Sequence, residues 1–227
     1  MGTLDLPWIR KLAAVASLGD ENRRALYKYV LGAGKAVGRD EAAAALELPR
    51  STVSFHLDRL VREGLLDVEF RRPPGRTGPG SGRPSKLYRQ VVDEIGVSFP
   101  ERHYDLAAQI LAGAIKRAKD SGGAVDAALG SVAEEKGREF GMPGDFPGAL
   151  KGLGYEPAPD GSGGYLLLNC PFHRLSADHQ ELVCSMNGSF LAGAAGASGL
   201  SSNSVTADPD HERGHCCARI HGDQRDA

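Results

Sequence analysis

Cysteine is scarce in this chain, with four in 227 residues. That is too few for a disulfide scaffold and, with no convincing export signal, it points to a cytoplasmic, reducing compartment where thiols are free or metal-bound. Long apolar runs are missing as well. The longest uncharged stretch, Leu182 to Ala207, is broken by Gly, Ser and Asn, so neither a transmembrane helix nor a membrane partner is expected. Position 6 is Leu, where a myristoylation site wants a hydroxyl. Arg10-Lys11 before Leu12-Ala13-Ala14-Val15-Ala16 imitates a secretion signal only faintly, so this stretch reads as a first helix. The phosphate-loop ending Gly-Lys-Ser/Thr is absent, as are a Ser/His/Asp arrangement and paired catalytic carboxylates. The chain is therefore not expected to be an enzyme.

What is present is enough apolar material for a core: 41% hydrophobic residues against 25% charged, in a length that suits two ordinary domains. A net charge of -2 conceals an asymmetry. Lys and Arg outnumber Asp and Glu by 16 to 12 in residues 1 to 100, and are outnumbered by 17 to 11 afterwards. Between Phe70 and Val92 stand six basic residues and no acid, a one-sign cluster that attracts a polyanion.

The first ninety residues read as a winged helix. A helix from Trp8 to Leu18 stops at Gly19, and Asp20 caps a second helix carrying Leu26, Tyr27, Val30 and Leu31. Asp40 is placed to cap the alanine-rich run Glu41 to Leu46. Glu47-Leu48-Pro49 then turns the chain into a helix from Arg50 to Glu63, completing a helix-turn-helix. On this last helix Val53, Leu57, Leu60 and Val61 share an inward face. The outward face carries Arg50, Ser51, Thr52, Phe55, Arg59 and Arg62, suited to phosphates, base edges and thymine methyls in a major groove; His56 sits near the core boundary. Leu66, Val68 and Phe70 alternate with Asp67 and Glu69 as a strand with one buried face, and Lys86 to Gln90 returns. The basic connection supplies Arg71, Arg72, Arg76, Arg83 and Lys86 as a DNA-tracking wing, with Gly82-Arg83-Pro84 shaped for a minor groove.

Past Pro100 a helical stripe of Tyr104, Leu106, Ile110, Leu111 and Ile115 precedes a weaker one through Val125, Leu129, Val132 and Phe140. One of these faces is a candidate homodimer contact, because a single reading helix buries little DNA and two half-sites supply specificity.

All four cysteines, Cys170, Cys184, Cys216 and Cys217, and five of seven histidines fall between Cys170 and His221. Asn169-Cys170-Pro171-Phe172-His173 breaks a strand pattern with a Cys-Pro step of the kind found beside iron-sulfur ligands. Cys-x-x-Cys pairs, usual in structural zinc sites, are absent, and the long spacings favour an iron-sulfur cluster. Zinc and a thiol-only redox switch are the alternatives, and the fourth ligand is open among Cys217, His173, His215 and solvent. In an extended segment Cys216 and Cys217 point to opposite faces, so both do not easily reach one site. Strands at Tyr165 to Leu168, Ser204 to Ala207 and Cys216 to Ile220, with one or two helices between Leu175 and Ala195, make this end a small α+β sensor.

The run Ser51-Thr52-Val53-Ser54-Phe55-His56-Leu57-Asp58-Arg59-Leu60-Val61-Arg62-Glu63-Gly64-Leu65-Leu66 resembles the recognition segment of ArsR-like bacterial regulators. Gly82-Arg83-Pro84-Ser85-Lys86-Leu87-Tyr88 resembles the wing of their SufR-type branch, the iron-sulfur-assembly repressors. The resemblance spans residues 10 to 115 and implies a dimeric transcription factor on double-stranded DNA that represses when loaded with a [4Fe-4S] cluster. In the carboxyl-terminal part Cys170, Cys184 and Cys216 match the branch's cysteines in order, with a first spacing one residue longer. The fold class expected is α+β: a winged helix-turn-helix over 1–92, a helical dimerisation region over 93–153, and a cysteine-containing sensor over 154–227. An iron-sulfur redox protein or enzyme with a passive amino-terminal tether is the alternative of another class.

Overall fold

A computed structural model describes residues 7–71, 84–91, 94–208, 211 and 215–222. The chain forms two compact units, one running to Val97 and the other beginning at Ser98. The fold is mixed α+β, as the sequence implies.

The first unit begins with helices α1 (Trp8–Ser17) and α2 (Glu21–Ala33). The α2 start is set by Asp20, whose carboxylate accepts the Arg23 backbone N–H at 2.9 Å, satisfying one of the donors a helix start leaves open. Next come a two-residue strand β1 (Val37–Gly38), helix α3 (Arg39–Leu46) and helix α4 (Arg50–Arg62). Asp40 is not the cap of α3. The helix starts two residues earlier, with Gly38 at the cap and the Glu41 carboxylate accepting the Gly38 N–H at 3.5 Å, while Asp40 turns outward to Arg50. Glu47 makes the turn in a left-handed conformation, φ 53°, closing α3 so that Pro49 can open α4.

Strands β2 (Leu66–Arg71) and β3 (Ser85–Gln90) pair antiparallel with Val68 opposite Tyr88, and β1 adds to the other edge of β3. Neither β1 nor its pairing was expected from a two-residue segment. Leu26, Val30, Val53, Leu57, Leu60, Leu66 and Tyr88 close one core. The buried face of β2 is shorter than its alternation implies. Leu66 is buried and Val68 half-buried, but Phe70 is 65% exposed, because the outer end of the ribbon passes beyond the helices.

Helix α4 is fastened to the sheet by a polar contact: the Asp58 carboxylate accepts Lys86 Nζ at 2.5 Å and the Tyr88 hydroxyl at 2.8 Å. Burial works against the Asp58 charge, but those hydrogen bonds outweigh it and hold its carboxyl below the ordinary value of 3.8. A carboxyl depressed on folding contributes stability above its unfolded value, and that stability is lost as pH falls through the lower folded value. Asp58→Asn is therefore expected to lower the melting temperature at pH 7 and to flatten its fall below pH 4; an unchanged acid limb in thermal melts would show the contact to be idle.

In the second unit the long helices are α5 (Tyr104–Ser121), α6 (Val125–Arg138) and α9 (Gln180–Ala197), with α7 (Phe146–Gly152) and α8 (His173–Asp178) between them. Four short strands, β4 (Pro157–Pro159), β5 (Tyr165–Leu167), β6 (Val205–Ala207) and β7 (Ala218–Ile220), make an antiparallel sheet in the order β4-β5-β7-β6. The helical segment and the cysteine-bearing segment, distinct in sequence at 153/154, share one hydrophobic core here: Leu106, Ile110 and Leu129 cluster with Leu167, Phe172, Phe190 and Ile220. The stripe on α5 runs through Leu106, Ala107, Ile110, Ala114 and Ala118, leaving Ile115 exposed.

The reason for the shared core is α9, whose uncharged run is apolar nearly all round and must be covered on several sides. It crosses α6 at backbone contact. A Cβ on Gly193 would stand 2.1 Å from the Glu134 carbonyl oxygen, and one on Gly137 1.9 Å from that of Phe190. Only glycine fits at either position, which sets how α9 lies and hence where its polar residues point. No helix among the described residues is long and apolar enough to cross a membrane.

Candidate nucleic-acid interface and cysteine centre

The outward face of α4 carries the side chains singled out for DNA. Ser51, Arg59 and Arg62 are exposed and Thr52 is half-buried; Phe55 is 59% exposed. Val53, Leu57 and Leu60 are fully buried behind them, so the helix cannot roll without exposing its core. His56 is buried near Asp20, 3.9 Å away, a packing position and not a reading one.

The cations differ in how free they are. Arg50 pairs with Asp40 at 2.5 Å and Arg59 with Glu63 at 2.7 Å. Arg71 pairs with Glu69 at 2.6 Å, and Lys86 is committed to Asp58. Among the described residues Arg62 has no such partner. Exposed pairs of this kind are worth about 1 kcal/mol or less, so a phosphate can replace a carboxylate for Arg50, Arg59 and Arg71. Lys86 also holds α4 to β3, and its release costs structure. Arg72, Arg76 and Arg83 lie outside the described residues.

The cysteines lie in the second unit, where their placement follows from α9 and the approach to β7. Cys184 and Asn187 lie one turn apart on α9 and thus on one face. Cys216 and Cys217 run alongside and point in different directions, as an extended pair should. Cys217 meets Cys184, the two sulfurs at bonding distance and the Cα atoms 6.1 Å apart. Cys216 turns inward to Cys170, both free thiols, 2% and 3% exposed. The structure thus brings all four cysteines to one dipeptide, but as two pairs, where the spacing suggested Cys170, Cys184 and Cys216 converging together. Among the described residues no group of three or more His, Cys, Asp or Glu side chains is disposed to hold one metal ion. His173 opens α8 with its backbone N–H on the Cys170 carbonyl at 3.1 Å, and His215 immediately precedes the Cys216-Cys217 pair.

The buried pair is polarised. The Cys216 thiol donates to Cys170, and the Phe172 backbone N–H, the Arg102 charge and Ser176 add to this, so Cys170 is pulled below the ordinary thiol value despite burial. The same contact with Cys170, with burial, pushes Cys216 well up. Of the two, Cys170 is therefore the thiol that ionises first. Asn187, fully buried, donates from Nδ2 to the Cys216 sulfur at 3.0 Å and accepts the Tyr155 hydroxyl on Oδ1. Burial, and the adjacent cysteines after it, raise Tyr155 well above the usual phenol range.

Sequence reasoning missed Arg102 and Asn169. Asn169 is buried and its amide donates to the carbonyls of Glu101 at 3.3 Å and Gly154 at 2.5 Å. Arg102 donates through Nη1 to Asn169 Oδ1 and, at 3.2 Å, to the Cys170 carbonyl. The His103 N–H reaches the Pro171 carbonyl at 3.2 Å. The only sequence signal was an asparagine next to Cys-Pro; nothing marked an arginine 67 residues away.

Residues 18–69 match the model of a family described as a helix-turn-helix domain. The match covers α2 to β2, and the chain carries a helix-turn-helix DNA-binding domain of the kind found in transcriptional regulators. No curated protein and no solved structure matches the chain.

Proposed function

We propose that this DNA-binding regulator is a homodimeric winged-helix repressor whose grip on its operator is set by an iron-sulfur cluster, of the [4Fe-4S] kind, held by the cysteines of the second unit. The observation that carries this reading is the gathering of four cysteines from three separate segments around the single dipeptide Cys216-Cys217. The donor set fits the group in kind, since thiolates drawn from distant segments are the ordinary ligands of such clusters, and with Cys216 and Cys217 pointing apart the fourth position stays open to another ligand. When bound, the cluster supplies an oxidant-labile centre whose state differs between conditions while the protein fold persists.

The chain's own residues then carry the signal. Cys170 sits in a turn whose carbonyls and Asn169 amide are gripped by Glu101, Arg102 and His103. That grip acts within six residues of Val97, the end of the DNA-reading unit. A change in what Cys170 binds moves the turn, and the turn moves the segment that leads out of the reading unit. On this account Arg102 and Asn169 position the connection without touching DNA, and the coupling between sites is reciprocal.

A second reading is favoured by one observation, the bonding distance between Cys184 and Cys217: a regulator that opens and closes this bridge without metal. Anaerobic purification with iron, sulfide and zinc analysis separates the two. The cluster reading expects a brown protein with about four irons and four sulfides per chain, lost in Cys170→Ser while circular dichroism of the helices persists. A colourless, iron-free protein contradicts it and leaves the bridge reading.

A further inference from the structure

The two cysteine pairs differ in how they can be reached. Cys170 and Cys216 are sealed in the core, whereas Cys184 and Cys217 are half-buried and form part of the wall of a cavity of about 520 Å³ between α9 and the β6–β7 edge of the sheet. That volume lies in the range of small-molecule sites. Its wall carries polar groups of one leaning: the Glu181 and Asp208 carboxylates, the Ser185 and Thr206 hydroxyls, and apolar surface between them. Asp208 also faces Arg219, at 3.9 Å, and His211 adds a ring whose Nδ1 is engaged with the Asp208 carbonyl at 2.7 Å. The floor is kept open by Gly188, one helical turn beyond Cys184, where an added Cβ would meet nothing within 4 Å.

We infer that this cavity admits a low-molecular-weight thiol bearing an amine to the Cys184–Cys217 bridge, and that such a thiol reopens the bridge. The inference rests on the thiol-sensor reading above and assigns the step that returns the bridged protein to four free thiols. In that step the small thiolate attacks one sulfur of the bridge, the S–S bond breaks, and the departing cysteine thiolate takes a proton from water. A second molecule of thiol attacks the mixed disulfide, releasing the other cysteine and a small-molecule disulfide. The balance is one bridge and two thiols in, two cysteine thiols and one disulfide out. Glu181 and Asp208 favour an ammonium end.

The test uses the full-length, metal-free, air-oxidised protein and two small thiols of similar size, 2-mercaptoethylamine and 3-mercaptopropionate, compared at equal thiolate concentration and low salt. Bridge opening is followed by thiol release, and adducts by peptide mass mapping. The amine-bearing thiol is expected to open the bridge about fivefold faster or more, a preference lost at high salt and in Glu181→Gln/Asp208→Asn. Adducts are expected on Cys184 or Cys217 alone. Gly188→Leu, which fills the cavity while improving helix propensity, is expected to slow both thiols at least about tenfold without lowering the melting temperature. Equal rates for the two thiols, adducts on Cys170 or Cys216, unchanged kinetics in Gly188→Leu, or failure of the bridge to form in air would each overturn the inference. Operator affinity measured in parallel on bridged and opened protein reports on the sensor reading separately, so an unselective cavity in a responsive regulator is told apart from an unresponsive regulator.

Discussion

Phe55→Ala/Arg62→Ala is expected to weaken binding to duplex DNA by about a hundredfold or more. The two side chains stand on the outward face of α4, Phe55 exposed and Arg62 without an ion-pair partner among the described residues. Neither contributes to the core formed by Val53, Leu57 and Leu60, so the melting temperature should stay within a few degrees of the parent. Each lost base or phosphate contact costs about 1–3 kcal/mol, and in the proposed homodimer two reading helices double the loss. Loss of the Arg62 phosphate contact should also reduce the slope of log affinity against log salt by about one per half-site. Fluorescence anisotropy across a salt series measures both quantities. By contrast Arg59→Ala alone removes a cation that already has Glu63 at 2.7 Å, and a smaller loss is expected. A double variant that binds as the parent does would remove α4 from the interface.

Asn187→Leu is expected to destabilise the second unit by about 2–5 kcal/mol. The substitution keeps the number and branching of side-chain heavy atoms but strands two buried groups, the Tyr155 hydroxyl and the Cys216 sulfur, at about 1–3 kcal/mol for each partner left without a hydrogen bond. For a unit of this size the melting temperature should fall by roughly 10 °C, visible in differential scanning calorimetry as a shift of the second unit's transition while the first unit's holds. Tyr155→Phe strands only Asn187 Oδ1 and should cost less. Combining the two substitutions should cost less than their sum, because Tyr155→Phe removes the very hydroxyl that Asn187→Leu orphans. Full additivity would mean that Asn187 does not link Tyr155 to the cysteines.

The reading unit was legible because its signals are local. A cap at Asp20, a turn at Glu47-Leu48-Pro49 and a helical face of Val53, Leu57 and Leu60 each depend on residues a few positions apart. Where locality failed, so did the reading: Asp40 looked like a cap, but Gly38 fills that role because the two-residue strand β1 pairs with β3 and fixes where α3 begins. Phe70 continued a flawless alternation, yet nothing in its neighbours says that the sheet outruns the helices there. In the second unit the cysteines announced themselves by type and clustering, but their pairing did not. The sequence left open which of Cys216 and Cys217 turns toward the other cysteines, and Cys217 faces Cys184 because α9 is laid down by its crossing with α6 at Gly137 and Gly193, contacts no local pattern encodes. Arg102 was invisible for the same reason, and Asn169 showed only as a polar residue beside Cys-Pro.

The account stands on the dependence of DNA binding upon the state of the four cysteines. Its most direct measurement is the operator affinity of the full chain, determined anaerobically as purified, after air oxidation and after re-reduction, beside a variant with all four cysteines replaced by serine. The account predicts that the parent's affinity changes at least about tenfold between states, a coupling of the usual allosteric size, and that the variant holds one affinity throughout. A parent that binds equally in every state, or a serine variant that responds as the parent does, would contradict it.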